Sequence, residues 1–119
     1  FPEAGADFVI VITNDGWSDS YQGHYQHFSS SVFRAVETGI WYVRAGNSGK
    51  SALINPEGKI TAEMPILKRG SFAAAADFSE NRKTLYSKFG DSFLFLYFFA
   101  CIMLLIFSLI KTKLAERGR

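Results

Sequence analysis

The feature that most constrains the fold is an uninterrupted apolar segment, residues 93–110, which contains no charged side chain. A helix of this length measures about 27 Å at about 1.5 Å per residue, which is close to the thickness of a bilayer's hydrocarbon core. A buried helix of a soluble protein rarely lacks a polar face over such a length. We therefore predict a membrane-spanning helix at 93–110.

Charge is divided unevenly along the chain. Residues 1–92 carry nine Lys and Arg against ten Asp and Glu, whereas residues 93–119 carry four basic residues against one acidic residue. The body therefore offers no basic surface for nucleic acid. Because Lys and Arg favour the cytoplasmic ends of membrane helices, we predict a basic cytoplasmic tail at 111–119 and a body on the outer side. The single cysteine, Cys101, excludes a disulfide scaffold.

Residues 1–78 have the pattern of an α/β domain, and residues 79–92 read as a polar linker. An apolar β-branched run is followed by a turn signal, by apolar residues at helical spacing up to Gly39, and by three more strand patterns. The predicted strands are 8–12, 40–43, 51–54 and 59–64, whereas residues 72–78 fit either a helix or a strand. The helix provides a crossover, so the first two strands should be parallel. One helix cannot cover both faces of a sheet with an apolar first strand, so we expect a further layer.

Several short patterns suggest chemistry but lack the context that it requires. Cys101 lies within the apolar segment, where a reactive thiolate is not expected. The spacing of His24 and His27 matches no zinc motif, and we expect no metal site. Gly49-Lys50-Ser51 lacks the earlier glycine of a phosphate-binding loop, because Arg44 occupies that position, and it precedes a strand pattern instead of a helix.

The turn at 14–17 is a better candidate for ligand binding. Asn14, Asp15, Gly16 and Trp17 follow the first strand, and open α/β sheets bind ligands at the carboxyl ends of their strands. A polar turn that needs Asn, Asp and Gly for its backbone explains the same residues. From the residues alone, both interpretations stay open.

Longer motifs occur in a characteristic order along the chain. They are NDGW at 14–17, YQH at 25–27, FRAVETG at 33–39, VRAGNSG at 43–49 and INPEG at 54–58. In this order they resemble the C-terminal part of the apolipoprotein N-acyltransferase family, membrane enzymes of the nitrilase (carbon–nitrogen hydrolase) superfamily. The resemblance extends from Phe1-Pro2-Glu3 to the apolar segment. It departs from the family pattern at Ser18, His24 and Leu85, which puts only details of loop shape in doubt.

The resemblance implies an α/β fold: the C-terminal part of a nitrilase-type αββα sandwich, here at 1–78, followed by one transmembrane helix. It also implies a cysteine that takes an acyl chain from a phospholipid as a thioester, a glutamate base and a lysine that stabilises the oxyanion. The acyl group then passes to the N-terminal amine of a diacylglyceryl-cysteine lipoprotein. In the family all three residues precede the position of Phe1, so we expect this chain to be a C-terminal fragment that is inactive alone.

The resemblance also indicates which residues and partners belong to the site. The residues expected at the substrate pocket are Asn14, Asp15, Trp17, His27, Arg34, Asn47 and Ser48. The implied partners are a phospholipid acyl donor, a lipoprotein acceptor and the membrane; no nucleic acid, cofactor or metal is implied. The expected location is the inner (plasma) membrane of a bacterium, with the α/β domain on the periplasmic side.

Two other functions remain open. A nitrilase-type amidase with one membrane anchor shares the sandwich fold, although the NDGW motif disfavours it. A non-catalytic membrane-anchored module keeps the fold without the cysteine, and nothing in these residues excludes it.

Overall fold

The computed structural model describes residues 5–117, which form two compact units divided between Lys88 and Phe89. Phe1-Pro2-Glu3 and Arg119, which the sequence analysis assigns to the family resemblance and to the basic tail, lie outside the described residues. The elements in chain order are β1 (Phe8–Asn14), α1 (Tyr21–Thr38), β2 (Trp41–Asn47), β3 (Ser51–Ile54), β4 (Ile60–Met64), a 3-10 helix (Phe78–Glu80), α2 (Leu85–Phe89) and α3 (Ser92–Arg117).

The first unit is built on a four-stranded sheet in the order β1-β2-β3-β4. β1 and β2 are parallel, with Phe8 opposite Trp41 and Asn14 opposite Asn47, and α1 is the crossover between them. β3 and β4 continue the sheet in antiparallel fashion. The predicted α/β class and the parallel first pair are therefore confirmed.

Both ends of α1 follow from local sequence. The Ser20 hydroxyl accepts a hydrogen bond from the Gly23 amide at 3.0 Å and caps the first turn. At the other end Gly39 adopts φ +70°, and its amide donates to the Ala35 carbonyl at 2.8 Å. A Cβ atom at Gly39 would lie 2.1 Å from the Arg82 carbonyl oxygen, so only glycine fits this end of the helix.

The core lies between α1 and one face of the sheet. Its fully buried members are Phe28 and Ala35 from α1, and Ile40, Tyr42, Ala52 and Ile54 from the sheet and the residue before it. Val9 and Val11 of β1 pack against this cluster, so β1 contributes its alternate residues to the same face.

The other face of β1 is bare in the described chain. Ile10 is 57% exposed and Ile12 is 83% exposed, although the apolar sequence predicts burial on both faces. The described residues therefore cover one face of β1, and the further layer that the apolar sequence predicts stays a prediction. Phe8 is stacked on Phe78 at 5.4 Å between ring centroids, which covers only the start of the strand.

Residues 70–84 run back over the domain as an irregular segment. Residues 72–77 form neither the helix nor the strand considered above. The Trp41 indole donates to the Asp77 carbonyl at 2.8 Å, and the Arg82 amide donates to the Gly39 carbonyl at 2.9 Å. The stretch expected to be a linker is thus hydrogen-bonded to the domain up to Thr84, whose hydroxyl donates to the Glu37 carbonyl.

The second unit is dominated by α3, a helix of 26 residues. Its segment Ser92–Lys111 has a mean hydropathy of 2.8, and none of its residues is buried within the chain. It is long and apolar enough to cross a membrane and includes the predicted span 93–110.

Candidate functional site

Asp15 is the centre of a buried polar cluster at the carboxyl end of β1. It directly follows the last residue of the strand, and its amide donates to the Asn47 carbonyl at 3.0 Å, which ties it to the end of β2. Its side chain is completely buried. Room for the carboxylate depends on Gly49, where a Cβ atom would lie 1.6 Å from Asp15 Oδ2.

Three side chains hold the Asp15 carboxylate. Arg44 Nη2 donates to Oδ2 at 3.0 Å, the Thr13 hydroxyl donates to Oδ1 at 3.0 Å, and His27 Nδ1 lies 2.6 Å from Oδ1. Burial by itself would raise the pKa of Asp15. The hydrogen bonds from His27, Arg44 and Thr13 outweigh it, so the pKa of Asp15 is lowered and the carboxylate is ionised at neutral pH.

Arg44 reaches this cluster from β2. Strand alternation places it on the same face as Tyr42, beneath α1, and its side chain is 1% exposed. Its Nη1 donates to the Ser31 hydroxyl on α1 at 3.0 Å, while its buried Nε has no hydrogen-bond partner. The guanidinium therefore links the sheet, the helix and Asp15. Arg44 is not among the site residues expected from the sequence. The pattern that could have indicated it is a single charged residue at a core-facing position of a strand.

His27 and Trp17 extend the cluster from the buried Asp15 to the protein surface. The His27 side chain is 38% exposed, and its ring meets the Trp17 indole edge-on, with centroids 6.0 Å apart. Trp17 is 69% exposed and lies in the turn after β1. The buried Asp15–Arg44 ion pair thus holds the His27 ring, and the His27 ring in turn positions the exposed Trp17 indole.

Asn14, Asn47 and Ser48 complete the strand-end turns. The side-chain amide of Asn47 donates through Nδ2 to the side-chain oxygen of Asn14 at 3.1 Å, which joins the two turns. Ser48 has the left-handed φ of 64° and accepts a hydrogen bond from the Leu67 amide at 3.1 Å. Ser48 lines a cavity of about 360 Å³ together with Gly16, Ser18, Asp19, Tyr21, His24 and Leu67.

Arg34 is the one expected pocket residue that the structure does not bring to this cluster. It lies on the outer face of α1 and pairs with Glu37 at 2.9 Å, as an exposed i,i+3 ion pair. Lys50, from the rejected phosphate-loop pattern, pairs with Glu63 at 2.6 Å and lies over the Phe28 ring. Both side chains are explained by these contacts.

The arrangement combines an ionised buried carboxylate, an oriented imidazole, turn amides and an exposed aromatic ring. Such a set can bind and orient a substrate at the strand ends. Within residues 5–117, no three His, Cys, Asp or Glu side chains are grouped closely enough to hold a metal ion. Cys101 lies in α3, within the apolar segment.

Comparison with known proteins identifies the family of the domain that contains this cluster. The carbon-nitrogen hydrolase family model matches residues 3–85, which include all of the cluster. The chain is 36% identical over 110 residues to apolipoprotein N-acyltransferase 2 of Treponema denticola, covering 92% of this chain and 20% of that protein. It is 39% identical over 112 residues to apolipoprotein N-acyltransferase 1 of the same organism, covering 93% and 21%.

A third relative comes from a different organism. The apolipoprotein N-acyltransferase of Rhizobium leguminosarum is 42% identical over 72 residues, which is 60% of this chain and 14% of that protein. The chain spans about one fifth of the length of the first curated relatives that it matches. Through the matched domain, this chain belongs to the carbon–nitrogen hydrolase family.

Proposed function

We propose that this chain is part of a membrane enzyme that transfers an acyl chain from a phospholipid to the N-terminal amine of a diacylglyceryl-cysteine lipoprotein. The observation that carries the proposal is the Arg44–Asp15–His27 cluster beneath an exposed Trp17, in a carbon–nitrogen hydrolase domain followed by a helix of membrane length. Its similarity to apolipoprotein N-acyltransferases supports the same reaction.

In this proposal the chemistry has two steps. A cysteine thiolate attacks the ester of the phospholipid and keeps the acyl chain as a thioester, and the lipoprotein amine then takes the acyl chain. The cysteine, its base and the oxyanion-stabilising lysine come from protein outside residues 1–119. Cys101 is not the nucleophile, because a thiol within an apolar membrane helix has no base or cation to ionise it.

The described residues line and support the mouth of the active site. Asp15 and Arg44 fix the two strand ends relative to each other, and Asn14 and Asn47 join the turns that follow. Trp17 offers an exposed apolar surface at the same end of the sheet, where an acyl chain can pack. The chain by itself is inactive because it supplies this wall without the nucleophile.

The membrane location follows from the substrates and from α3. A phospholipid acyl donor reaches an enzyme from the bilayer, and the segment Ser92–Lys111 keeps the domain at its surface. We place the enzyme in the plasma membrane of a bacterium, with the domain (1–78) and the segment 79–92 outside and the basic tail (111–119) in the cytoplasm. The Lys and Arg residues of that tail favour this orientation.

Lipoprotein mass in a living cell tests the proposal. The complete gene that encodes this chain is expressed in a bacterium whose own apolipoprotein N-acyltransferase has been depleted, and a lipoprotein is isolated for mass spectrometry. We expect the mass of one acyl chain to return at the N-terminal cysteine. A lipoprotein that stays diacylated, although the protein is present in the membrane, would contradict the proposal.

Topology is tested separately with single cysteines introduced into the full-length protein after Cys101 and every other cysteine, including the proposed nucleophile, have been replaced by alanine. We expect Ser79→Cys to react with a membrane-impermeant maleimide in intact spheroplasts and Lys113→Cys to react only after lysis. The reverse labelling pattern would contradict the proposed orientation.

A further inference from the structure

We propose that His27 is the proton acceptor for the amine that receives the acyl chain, with Nε2 as the accepting atom. The inference rests on the proposed function, because it concerns the second step of that reaction. Asp15 and Arg44 are the positioning residues that hold the imidazole for this task.

The contact with Asp15 determines which ring nitrogen carries the hydrogen. His27 Nδ1 lies 2.6 Å from Asp15 Oδ1, and the carboxylate is ionised, so it can only accept a hydrogen bond. Arg44 Nη2 also lies 3.1 Å from Nδ1, but it has both oxygens of Asp15 as acceptors, at 3.0 and 3.4 Å. The nearer contact of Nδ1, with Asp15 Oδ1, therefore sets the tautomer, and the hydrogen resides on Nδ1. In the neutral ring Nε2 then has a lone pair and no hydrogen, which is the form that can accept a proton.

The ring has little freedom to change this arrangement. Asp15 is completely buried and is also held by Arg44 at 3.0 Å and by the Thr13 hydroxyl at 3.0 Å. Trp17 packs edge-on against the imidazole, with ring centroids 6.0 Å apart.

Nε2 is the part of the ring that remains available. Among the described residues, the polar contacts of the His27 ring, with Asp15 Oδ1 at 2.6 Å and Arg44 Nη2 at 3.1 Å, all involve Nδ1, and the side chain is 38% exposed. The other histidine, His24, is 4% exposed, and its Nδ1 is buried without a partner. Of the two histidines, only His27 combines a hydrogen-bonded Nδ1 with an exposed ring at the strand ends.

The amine that receives the acyl chain must lose a proton before it can react. An aliphatic amine is an ammonium at neutral pH and has no lone pair with which to attack a thioester. Nε2 takes one proton, which leaves a neutral amine and an imidazolium. The amine nitrogen forms a bond to the thioester carbon, and the carbon–sulfur bond breaks. The departing sulfur takes a second proton from that nitrogen and becomes a thiol, and the imidazolium returns its proton to water.

Separate measurement of the two steps in the full-length membrane protein tests the inference. The first step is followed as lysophospholipid released in one turnover, and the second as transfer from preformed acyl-enzyme to a synthetic diacylglyceryl-cysteine peptide. The variant is His27→Asn, whose side-chain NH2 occupies the position of Nδ1–H and can still donate to Asp15, but which has no basic nitrogen. Neutral hydroxylamine, which needs no deprotonation, serves as the alternative acceptor.

We expect acyl-enzyme formation and release by hydroxylamine within about twofold of wild type, and transfer to the peptide slowed by about 100-fold or more. Gln22→Asn, at an exposed position of the same helix α1, is the control and should keep the wild-type ratio of peptide to hydroxylamine transfer. If His27→Asn fails to accumulate, His27→Gln gives the same ratio test, since it also lacks a basic nitrogen.

Other results overturn the inference. A purely structural role would slow transfer to peptide and to hydroxylamine in parallel, and no role would leave both unchanged. A wild-type protein that forms no acyl-enzyme at all contradicts the proposed function itself, so the two failures are told apart by the first step.

Discussion

Arg44 and Asp15 form an ion pair from which water is excluded, with 3.0 Å between Nη2 and Oδ2 and side-chain exposures of 1% and 0%. Asp15 follows the end of β1, whereas Arg44 lies within the neighbouring parallel strand, opposite Val11. The pair therefore connects the body of the sheet to the turn that carries Trp17. Both the proposed pocket and the orientation of His27 depend on this contact.

Loss of the Arg44 charge should destabilise the domain strongly. Arg44→Met leaves the Asp15 carboxylate buried without its cation, which costs about 3–5 kcal/mol in the free energy of unfolding. Arg34→Met, which breaks the exposed pair with Glu37, is the control and should cost at most about 1 kcal/mol. Thermal unfolding of both variants in detergent measures the difference. Equal melting temperatures would show that the buried pair contributes no more than the exposed one.

Gly49→Ala should displace Asp15 without any change of charge. The new Cβ would lie 1.6 Å from Oδ2 and 2.6 Å from Cγ of Asp15, and the carboxylate is completely buried with both oxygens hydrogen-bonded. We expect a loss of a few kcal/mol, of the size seen for strained core substitutions, and a loss of activity.

Gly70→Ala is the matched control for this substitution, since its nearest neighbour would be Met64 Cε at 3.0 Å, the end of a flexible side chain. A Gly49→Ala protein as stable and active as Gly70→Ala would mean that Asp15 is not confined as described.

The stability of the domain should fall in acid because of Asp15. Its pKa in the folded state is lowered from an ordinary value of 3.8, so its contribution is fully present above that value. It is lost as the pH falls below 3.8 and through the lower folded-state pKa, where the carboxylate takes up a proton that the unfolded chain binds more readily.

Fluorescence of the buried Trp41, measured against denaturant at several pH values, follows this dependence in a Trp17→Phe background. Asp15→Asn should unfold at lower denaturant and should show a shallower loss of stability between pH 5 and the acid limit. An identical pH dependence in both proteins would contradict the lowered pKa of Asp15.

Trp17→Ala should affect activity more than stability. The indole is 69% exposed, and its main described contact is the edge-on packing with His27, so the free energy of unfolding should fall by only about 1 kcal/mol. We expect a higher KM for the phospholipid donor and partial recovery in Trp17→Phe.

Phe33→Ala, at a similarly exposed aromatic residue on α1, is the control and should leave KM unchanged. A KM that rises equally in Phe33→Ala, or that does not change in Trp17→Ala, would remove Trp17 from the proposed pocket.

Elements governed by local chemistry could be predicted from the sequence. Gly39 ends α1, and the turn between β3 and β4 is set by Asn55, whose side-chain oxygen accepts from the Glu57 and Lys59 amides at 3.1 and 2.8 Å. The alternation of β4 also follows the apolar pattern, with Ile60 half-buried and Thr61 exposed. Such features depend on neighbours within a few residues.

Contacts between residues that are far apart in the chain could not be predicted from the sequence in the same way. Arg44 and Arg34 are the same residue type, but strand alternation buries Arg44 beneath α1, while Arg34 faces outwards. The partner that makes Arg44 a core residue, Asp15, lies 29 positions away in sequence. The exposed face of Ile10 and Ile12 likewise depends on which layers surround β1, a property of tertiary structure.

The most direct test of the central claim is the transfer reaction with purified components. The full-length protein that carries this chain is incubated with one phospholipid of defined acyl composition and a diacylglyceryl-cysteine peptide, and the peptide is analysed by mass spectrometry. We predict a mass increase of one acyl chain, located on the N-terminal amine by fragmentation, and one lysophospholipid per acylated peptide. Hydrolysis of phospholipid or of a small amide with no acylated peptide would contradict the claim.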